Sequence, residues 1–125
     1  MKWKIDYIKN HGIVQAITRG TSSREERIML SKAVLEAGRE MNVKEFLLDQ
    51  RDSAFGLTPV QIKRLPVILS QTGFGTEDRM AILVNPESLR SVMFRFLREI
   101  LALNSMRIQV FNDNAKAIAW LKTVN

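Results

Sequence analysis

The stretch FLLDQRDSAFGLTP, residues 46–59, decides the fold class of this chain. It opens with the apolar run Phe46–Leu48, which stops at Asp49. A short continuous apolar run is typical of a strand that is buried on both faces. The stretch closes with Thr58 and Pro59, a helix cap followed by proline at the first helical position. It therefore predicts a buried strand, a polar connection and a helix, which is the repeating unit of an α/β domain.

The same unit recurs twice towards the C-terminus. Residues 80–84 form a second apolar run, and Asn85 and Pro86 then repeat the cap and the proline. Residues 107–111 alternate apolar and polar side chains before a last helical pattern, which predicts an edge strand followed by a helix. Strands that alternate with helices pair in parallel through right-handed crossovers, so the sequence predicts a largely parallel sheet.

The N-terminal part of the chain predicts a β-hairpin and a long helix. Residues 3–7 and 13–19 have strand patterns on either side of the turn signal Asn-His-Gly. Ser23 and Glu26 then fit a capping box, which marks the start of a helix. An apolar stripe through Leu30, Val34, Ala37 and Met41 predicts the buried face of that helix and its end near Met41.

The complete prediction is a single α/β domain over residues 1–125. It has about five strands in a mostly parallel open sheet, an N-terminal β-hairpin and four helices. One helix contains a proline, Pro66, about two turns after its start at Pro59. Because proline lacks a backbone donor and crowds the preceding turn, Pro66 is predicted to end or kink this helix.

Composition limits the classes of function. The chain has 125 residues, of which 46% are hydrophobic, so it is long enough for one domain with its own core. It has no cysteine, which excludes disulfides and thiol chemistry and suits a reducing compartment. No stretch approaches the roughly 18 apolar residues of a membrane-spanning helix, and the N-terminus lacks the apolar block of a signal peptide. We therefore expect a cytoplasmic protein without a transmembrane segment.

The net charge of +6 is spread along the chain. No run of adjacent basic residues is longer than Lys63-Arg64, and the segment 24–40 carries as many acidic as basic residues. Proteins that bind nucleic acid concentrate basic residues in a patch or stripe. The distribution here favours a generally basic surface over a specific nucleic-acid site.

Three segments, taken in order, resemble the STAS and SpoIIAA-like proteins, the class that includes anti-sigma-factor antagonists. They are FLLDQRD with LTP (46–52 and 57–59), RMAILV (79–84) and IQVFNDNAKAIAWL (108–121). The resemblance spans nearly the whole chain and is closest to the SpoIIAA-like branch labelled STAS/SEC14-like. It implies a SpoIIAA-like fold and a regulatory or protein-interaction module that is not an enzyme, with an unidentified protein as its partner.

The resemblance also implies a phosphorylation candidate, Ser53. Anti-sigma-factor antagonists carry a phosphorylatable serine in an Asp-Ser pair where a helix begins, and Asp52-Ser53 matches that pair. However, Ala54 stands where those proteins have Ser or Gly, and the predicted cap Thr58 lies five residues after Ser53. The sequence therefore favours a loop serine that bonds its own backbone, with the regulated serine as the alternative.

Polar side chains follow the carboxyl ends of the predicted strands, where ligands gather in open α/β sheets. Helix N-termini and arginines there can hold an anion, although the chain has no Walker loop or GxGxxG motif. The ligand-binding candidates are Arg19, Thr21, Ser22, Arg51, Asp52, Asn85 and Asn112. The alternative function is therefore binding of a small ligand, a nucleotide-like anion or, from the SEC14-like label, a lipid. Simple helix capping is the favoured interpretation of these residues.

No group of residues predicts catalysis, a cofactor or a metal. Asp49, Asp52 and Asp113 lack the close spacing on one loop that oxygen-only metal sites use, so we interpret them as strand-end and turn acids. The only histidine, His11, lies in the predicted hairpin turn, away from these acids. A histidine-based triad is therefore not expected, and we predict a protein that is not an enzyme.

The predicted helix from Pro86 carries an interface candidate. Phe94 lies off its apolar stripe, between Arg90 and Arg98 at helical spacing. Such a group is typical of contact with a protein partner, a second copy of the chain or a membrane surface, and an aromatic ring covered by arginine stems explains it equally well.

Three further aromatic residues are predicted to belong to the core. Trp3 and Trp120 lie on the apolar sides of a predicted strand and a predicted helix. Phe74, between Gly73 and Gly75, is interpreted as tucked under a tight connection, with a mobile lid as the alternative.

Overall fold

Five strands and three helices make up the described part of this computed structural model, which covers residues 1–53, 59–85, 98–99 and 106–123. In chain order they are β1 (Lys2–Ile8), β2 (Ile13–Gly20), α1 (Arg24–Met41), β3 (Glu45–Ser53), α2 (Pro59–Gln71), β4 (Arg79–Leu83), β5 (Arg107–Phe111) and α3 (Asn114–Leu121).

The strands form one mixed sheet in the order β1-β2-β3-β4-β5. β1 and β2 are antiparallel, and β3, β4 and β5 each add in parallel to the strand before. The predicted α/β class, the mostly parallel five-stranded sheet and the N-terminal hairpin are therefore confirmed. The predicted helix from Pro86 to Leu103 lies almost entirely outside the described residues, so the structure describes three of the four predicted helices.

Helices cover both faces of the sheet, and alternation along β3 divides its side chains between them. Phe46 belongs to the larger core cluster, with side chains of α1 and α2. The next residue, Leu47, belongs to the second cluster, with Ala117 and Leu121 of α3. Both predicted apolar runs are therefore central strands, and all five residues of β4 are buried.

Helix α1 begins and ends where the sequence predicts. Ser23 and Glu26 form the reciprocal capping box, and Asn42 ends the helix in the left-handed conformation with φ of 54°. The predicted apolar stripe is partly wrong, because Met41 is 48% exposed whereas Gly38 is buried. The buried face is turned towards the side of the helix that carries Leu35 and Gly38.

Pro66 does not end α2, which continues to Gln71. That part of the prediction is wrong. Proline removes one helical hydrogen bond, but Pro66 is buried, so packing offsets part of that loss.

Gly38 sets the distance between α1 and the sheet. A Cβ atom at this position would lie 2.4 Å from Cζ of Phe46 and 2.9 Å from the carbonyl oxygen of Val43. Both distances are far shorter than ordinary van der Waals contacts. The absence of a side chain at Gly38 therefore lets the Phe46 ring pack directly against the helix backbone.

We expect Gly38→Ala to lower the free energy of unfolding by about 1–3 kcal/mol, because the added methyl group overpacks the contact with Phe46. Urea denaturation measures this change, and Glu36→Ala, at an exposed position of α1, is the matched control. In a Phe46→Leu background the cost of Gly38→Ala should fall. Helix propensity alone would make Gly38→Ala stabilising, and that result would contradict the role of the close contact.

Candidate functional site

A β-bulge shapes the carboxyl end of β3. Ile17 pairs with Asp49, but Arg19, two residues later on β2, pairs with Asp52, so β3 contains one extra residue. A bulge of this kind changes the face to which the following side chains point. As a result, Ser53 lies opposite Gly20 and contacts Thr18, on the sheet face that α1 covers.

Ser53 is the last residue of β3, so its predicted loop position is wrong. Its hydroxyl lies 2.5 Å from that of Thr18, whose side chain is fully buried. The Thr18 hydroxyl donates to the carbonyl oxygen of Asp49 at 3.4 Å. Each hydroxyl can donate or accept, so either can supply the proton of the bond between Thr18 and Ser53. The two hydroxyls thus join the ends of β2 and β3.

Asp49 is held by a neighbouring arginine. Nε of Arg51 donates to Oδ1 at 3.0 Å and Nη2 donates to Oδ2 at 2.8 Å, while the Arg51 backbone amide donates to Oδ1 at 3.1 Å. The hydrogen bonds that Arg51 donates to the Asp49 carboxylate raise the pKa of the Arg51 guanidinium. Asp49 is only 6% exposed, so this two-pronged contact neutralises a buried charge. Two side-chain nitrogens of Arg51, Nε and Nη2, therefore already donate hydrogen bonds within the protein.

The chain itself bonds two of the amides at the N-terminus of α1. Ser23 accepts from the amide of Glu26 at 3.2 Å, and its own amide donates to Oε1 of Glu26 at 3.0 Å. The N-terminal ammonium of Met1 donates to Oε2 of Glu26 at 2.9 Å, and this bond is the main cause that lowers the pKa of Glu26. Arg27 donates to the carbonyl oxygen and hydroxyl of Ser22. A ligand beside Ser22 would meet the bonded amides of Ser23 and Glu26 and the Glu26 carboxylate.

The remaining ligand candidates lie along the same edge of the sheet, because the strands before them are parallel. Arg19 and Asp52 are exposed and occupy paired positions, and Thr21 is exposed just after β2. Asn85 is half-buried after β4, and Asn112 is exposed after β5. The structure thus brings Arg19, Arg51 and Asp52 to neighbouring strand ends, with the asparagines further along the edge.

The strand order weakens the fold-level argument for a ligand at this edge. Binding crevices in open α/β sheets form where the order of the parallel strands reverses. Along the five described strands the order runs β1-β2-β3-β4-β5 without a reversal. The described sheet therefore offers polar strand ends without the crevice that usually accompanies them.

The other predicted acids and His11 have local roles. Asp113 caps α3, accepting from the amide of Lys116 at 3.0 Å. His11 lies in the hairpin turn, where its carbonyl oxygen accepts from Lys122. In the described part of the chain, no three His, Cys, Asp or Glu side chains are grouped as metal ligands would be.

Of the interface candidates, Arg90 and Phe94 lie outside the described residues, and Arg98 is exposed. The described helices include none with the length and apolarity needed to cross a bilayer.

The aromatic core predictions are confirmed. Trp3 and Trp120 are both partly buried and pack against the two core clusters, one on each face of the sheet. The Trp120 ring lies 5.8 Å from that of Phe111, centroid to centroid. Phe74 is 6% exposed and belongs to the larger core cluster, which agrees with the tucked connection.

A cleft at the opposite, amino-terminal edge of the sheet was not predicted. It has a volume of about 300 Å³ and lies between the end of α1 and the loop before β4. Asp78, 2% exposed, accepts from Nη1 and Nη2 of Arg39 at 3.0 and 2.6 Å and from the amide of Gly75 at 2.7 Å. This carboxylate raises the pKa of Arg39.

The second ion pair of this cleft joins Lys44 to Glu77. It raises the pKa of Lys44 and lowers that of Glu77. These four charged groups are paired with one another, so we interpret the cleft as a connection between α1 and the loop. The only sequence signal for it is an acid placed just before a buried strand.

Comparison with known proteins does not assign this chain to a family. No protein-family model matches it, and no curated protein has a significantly similar sequence. The resemblance to STAS and SpoIIAA-like proteins stays a prediction.

We expect Thr18→Val to lower the free energy of unfolding by about 1–2 kcal/mol, because it keeps the shape but leaves the Ser53 hydroxyl without its hydrogen-bond partner. Chemical denaturation measures the effect, with Thr21→Val at an exposed position as the control. Adding Ser53→Ala should recover part of the loss, since both hydroxyls are then gone. A Thr18→Val protein as stable as the wild type would contradict the importance of the pair.

Glu26 predicts a pH-dependent contribution to stability. Its pKa is lowered in the folded protein, so its stabilisation is present above the ordinary pKa near 4.5 and is lost as the pH falls through the lowered value. Thermal melts should therefore show Glu26→Gln below the wild type in Tm at neutral pH and equal to it in strong acid. Glu25→Gln removes the same charge from the same turn without breaking the capping box. An equal and pH-independent deficit for both variants would contradict this prediction.

Proposed function

We propose that the protein is a non-enzymatic, cytoplasmic regulatory module of the SpoIIAA-like or STAS type. Its protein partner docks at the carboxyl ends of β2 and β3, a surface we call the rim and define as Arg19, Thr21, Arg51, Asp52 and Ser53. One observation carries the proposal. Ser53 lies at the last position of β3, bonded to the buried Thr18 and next to exposed charges.

The position of Ser53 suits a switch. Its hydroxyl is hydrogen-bonded to a fully buried threonine, so a phosphate on Ser53 would disrupt that bond and bring about two negative charges to the same place. Burying such a charge without compensation is costly, so the end of β3 would have to move or be held by a neighbouring cation. Two cations lie near Ser53 along the paired strands. Arg19 is exposed and pairs with Asp52, the neighbour of Ser53, and the partly exposed Arg51 lies two residues before Ser53. Phosphorylation would thus change the shape and charge of the rim together.

The buried carboxylates support binding over catalysis. Asp49 and Asp78 each accept a two-pronged contact from an arginine, so each carries a compensated negative charge. A general acid or base has to exchange a proton with a substrate, which requires access to solvent or ligand. These two carboxylates serve packing and strand-end geometry.

The rim carries exposed charges of both signs, as the periphery of a protein–protein interface does. Arg19 and Asp52 stand on neighbouring strands as exposed, opposite charges, and the Arg51 side chain is 47% exposed although it holds Asp49. Exposed charges of both signs favour orientation and specificity in protein recognition more than they favour tight affinity. A transient, regulated partner fits this surface.

A small anionic ligand is the second candidate. Arg19 lies directly opposite Lys2 on the antiparallel neighbour β1, and like charges in such pairs repel. Within the described residues, neither side chain belongs to an ion pair. An anion held between them, such as a phosphate group, would relieve the repulsion.

The test is native mass spectrometry and quantitative affinity capture of the protein expressed in its own host. We expect a protein partner that is retained by the wild type and by Glu36→Arg, an acid-to-base change on the exposed side of α1, and lost by Asp52→Arg. We also expect a phosphorylated fraction of the wild type that maps to Ser53.

Three outcomes separate the two candidates. A partner held equally by Asp52→Arg contradicts the rim as its docking surface. Absence of phosphate at Ser53 in all growth conditions contradicts the switch. A copurifying small anion that is lost in Arg19→Ser, without any protein partner, replaces the module with the ligand-binding function.

A further inference from the structure

The outer edge of β1 is an unpaired strand edge in the described sheet. β1 is the first strand in the order and pairs with β2 on one side only. Its seven residues, Lys2–Ile8, therefore present backbone donors and acceptors on the other side. Such an edge is a template for another strand, so the side chains along it decide which strand can pair there.

The side chains of β1 are complementary to a second, antiparallel copy of β1. With Ile5 at the symmetry axis, Lys4 of each copy lies opposite Asp6 of the other, and Trp3 lies opposite Tyr7. Lys4 and Asp6 share one face of the strand, 3.8 Å apart, with side chains 77% and 47% exposed. An ion pair this exposed contributes little within one chain, so both groups can take partners from another copy.

The aromatic pair lies on the opposite face. Trp3 is half-buried against the larger core cluster, while Tyr7, on the same face, is 40% exposed. In the antiparallel pair each Tyr7 ring would lie beside Trp3 of the other copy. Aromatic cross-strand pairs are among the favourable contacts of antiparallel sheets, so the pairing would cover an exposed ring.

Other registers either oppose like charges or pair fewer residues of β1. A two-fold axis perpendicular to the sheet must pass through a residue position, because opposing side chains have to share a face. If the axis passes through Lys4 or through Asp6, that residue lies opposite the same residue of the other copy, so like charges meet. An axis at Trp3 places Lys2 of one copy opposite Lys4 of the other. Only the axis at Ile5, the middle of Lys2–Ile8, pairs all seven residues without opposing like charges.

We propose that the protein forms a two-fold homodimer through the edges of β1, paired antiparallel about Ile5, which joins two five-stranded sheets into one. Lysines on an edge strand usually prevent edge-to-edge pairing. Here Asp6 gives Lys4 a partner in one register, so the same lysines select that register and oppose the others. This dimer uses a surface other than the rim and does not depend on the proposed function.

Sedimentation velocity of the purified full chain over a wide concentration range tests the proposal. We expect a reversible monomer–dimer equilibrium for the wild type. Lys4→Asp and Asp6→Lys should each weaken dimerisation about tenfold, because both two-fold-related pairs become repulsive. The double variant Lys4→Asp/Asp6→Lys should restore wild-type affinity, since it exchanges the charges within each pair. Lys32→Asp, on the exposed side of α1, is the charge-matched control.

Cysteine cross-linking tests the register, because the chain has no cysteine of its own. Under mild oxidation, Ile5→Cys should give a covalent dimer, since the two copies of this position face each other across the axis. Tyr7→Cys should not, because its two copies lie about 13 Å apart along the strands.

Three results would overturn the proposal. The wild type could stay monomeric at every concentration, the dimer could be unaffected by both single charge changes, or only Tyr7→Cys could cross-link. Circular dichroism confirms that each variant is folded.

Discussion

The burial of β3 on both faces is the constraint on which the rest of the structure depends. β3 pairs with β2 on one side and β4 on the other, and consecutive side chains enter different cores. Phe46 meets the backbone of α1 at Gly38, and Leu47 meets α3. One strand thereby sets the distance of a helix on each side of the sheet. Even a small shift of β3 would disturb both layers, because protein interiors are close-packed.

The arrangement of the polar end of β3 depends on the tightly packed middle of the strand. The strand is fixed by its two cores up to Leu47, and the bulge after Asp49 then changes the register with β2. The extra residue directs Ser53 towards Thr18 and leaves Asp52 exposed beside Arg19. The Asp-Ser pair therefore lies within the sheet, at the end of β3, and not in a loop.

Buried charges in this fold are compensated at both ends of the sheet. Asp49 is held by Arg51 at the carboxyl edge and Asp78 by Arg39 at the amino edge. Arg79, 8% exposed, donates instead to the carbonyl oxygens of Trp120 and Thr123 at the end of α3. The negative end of the helix dipole thus takes the place of a carboxylate. These contacts tie helices and loops to the strand ends.

The sequence by itself determined the elements whose signals are local. The capping box of Ser23 and Glu26 and the proline at the start of α2 act within one helical turn, and the apolar runs of β3 and β4 report burial on both faces. The α/β class and the hairpin follow from such signals. The role of Ser53 as a strand residue does not, because a bulge is defined only by the partner strand.

Tertiary structure alone decided which distant side chains meet. Arg39 and Asp78 are 39 residues apart in sequence, Thr18 and Ser53 are 35 apart, and no local pattern links either pair. The buried face of α1 passes through Gly38 instead of Met41 for the same reason, since the Phe46 ring fills the space that a glycine leaves. Neighbouring residues encode the conformation of each element. The register and approach of the elements depend on long-range packing, which only the complete fold specifies.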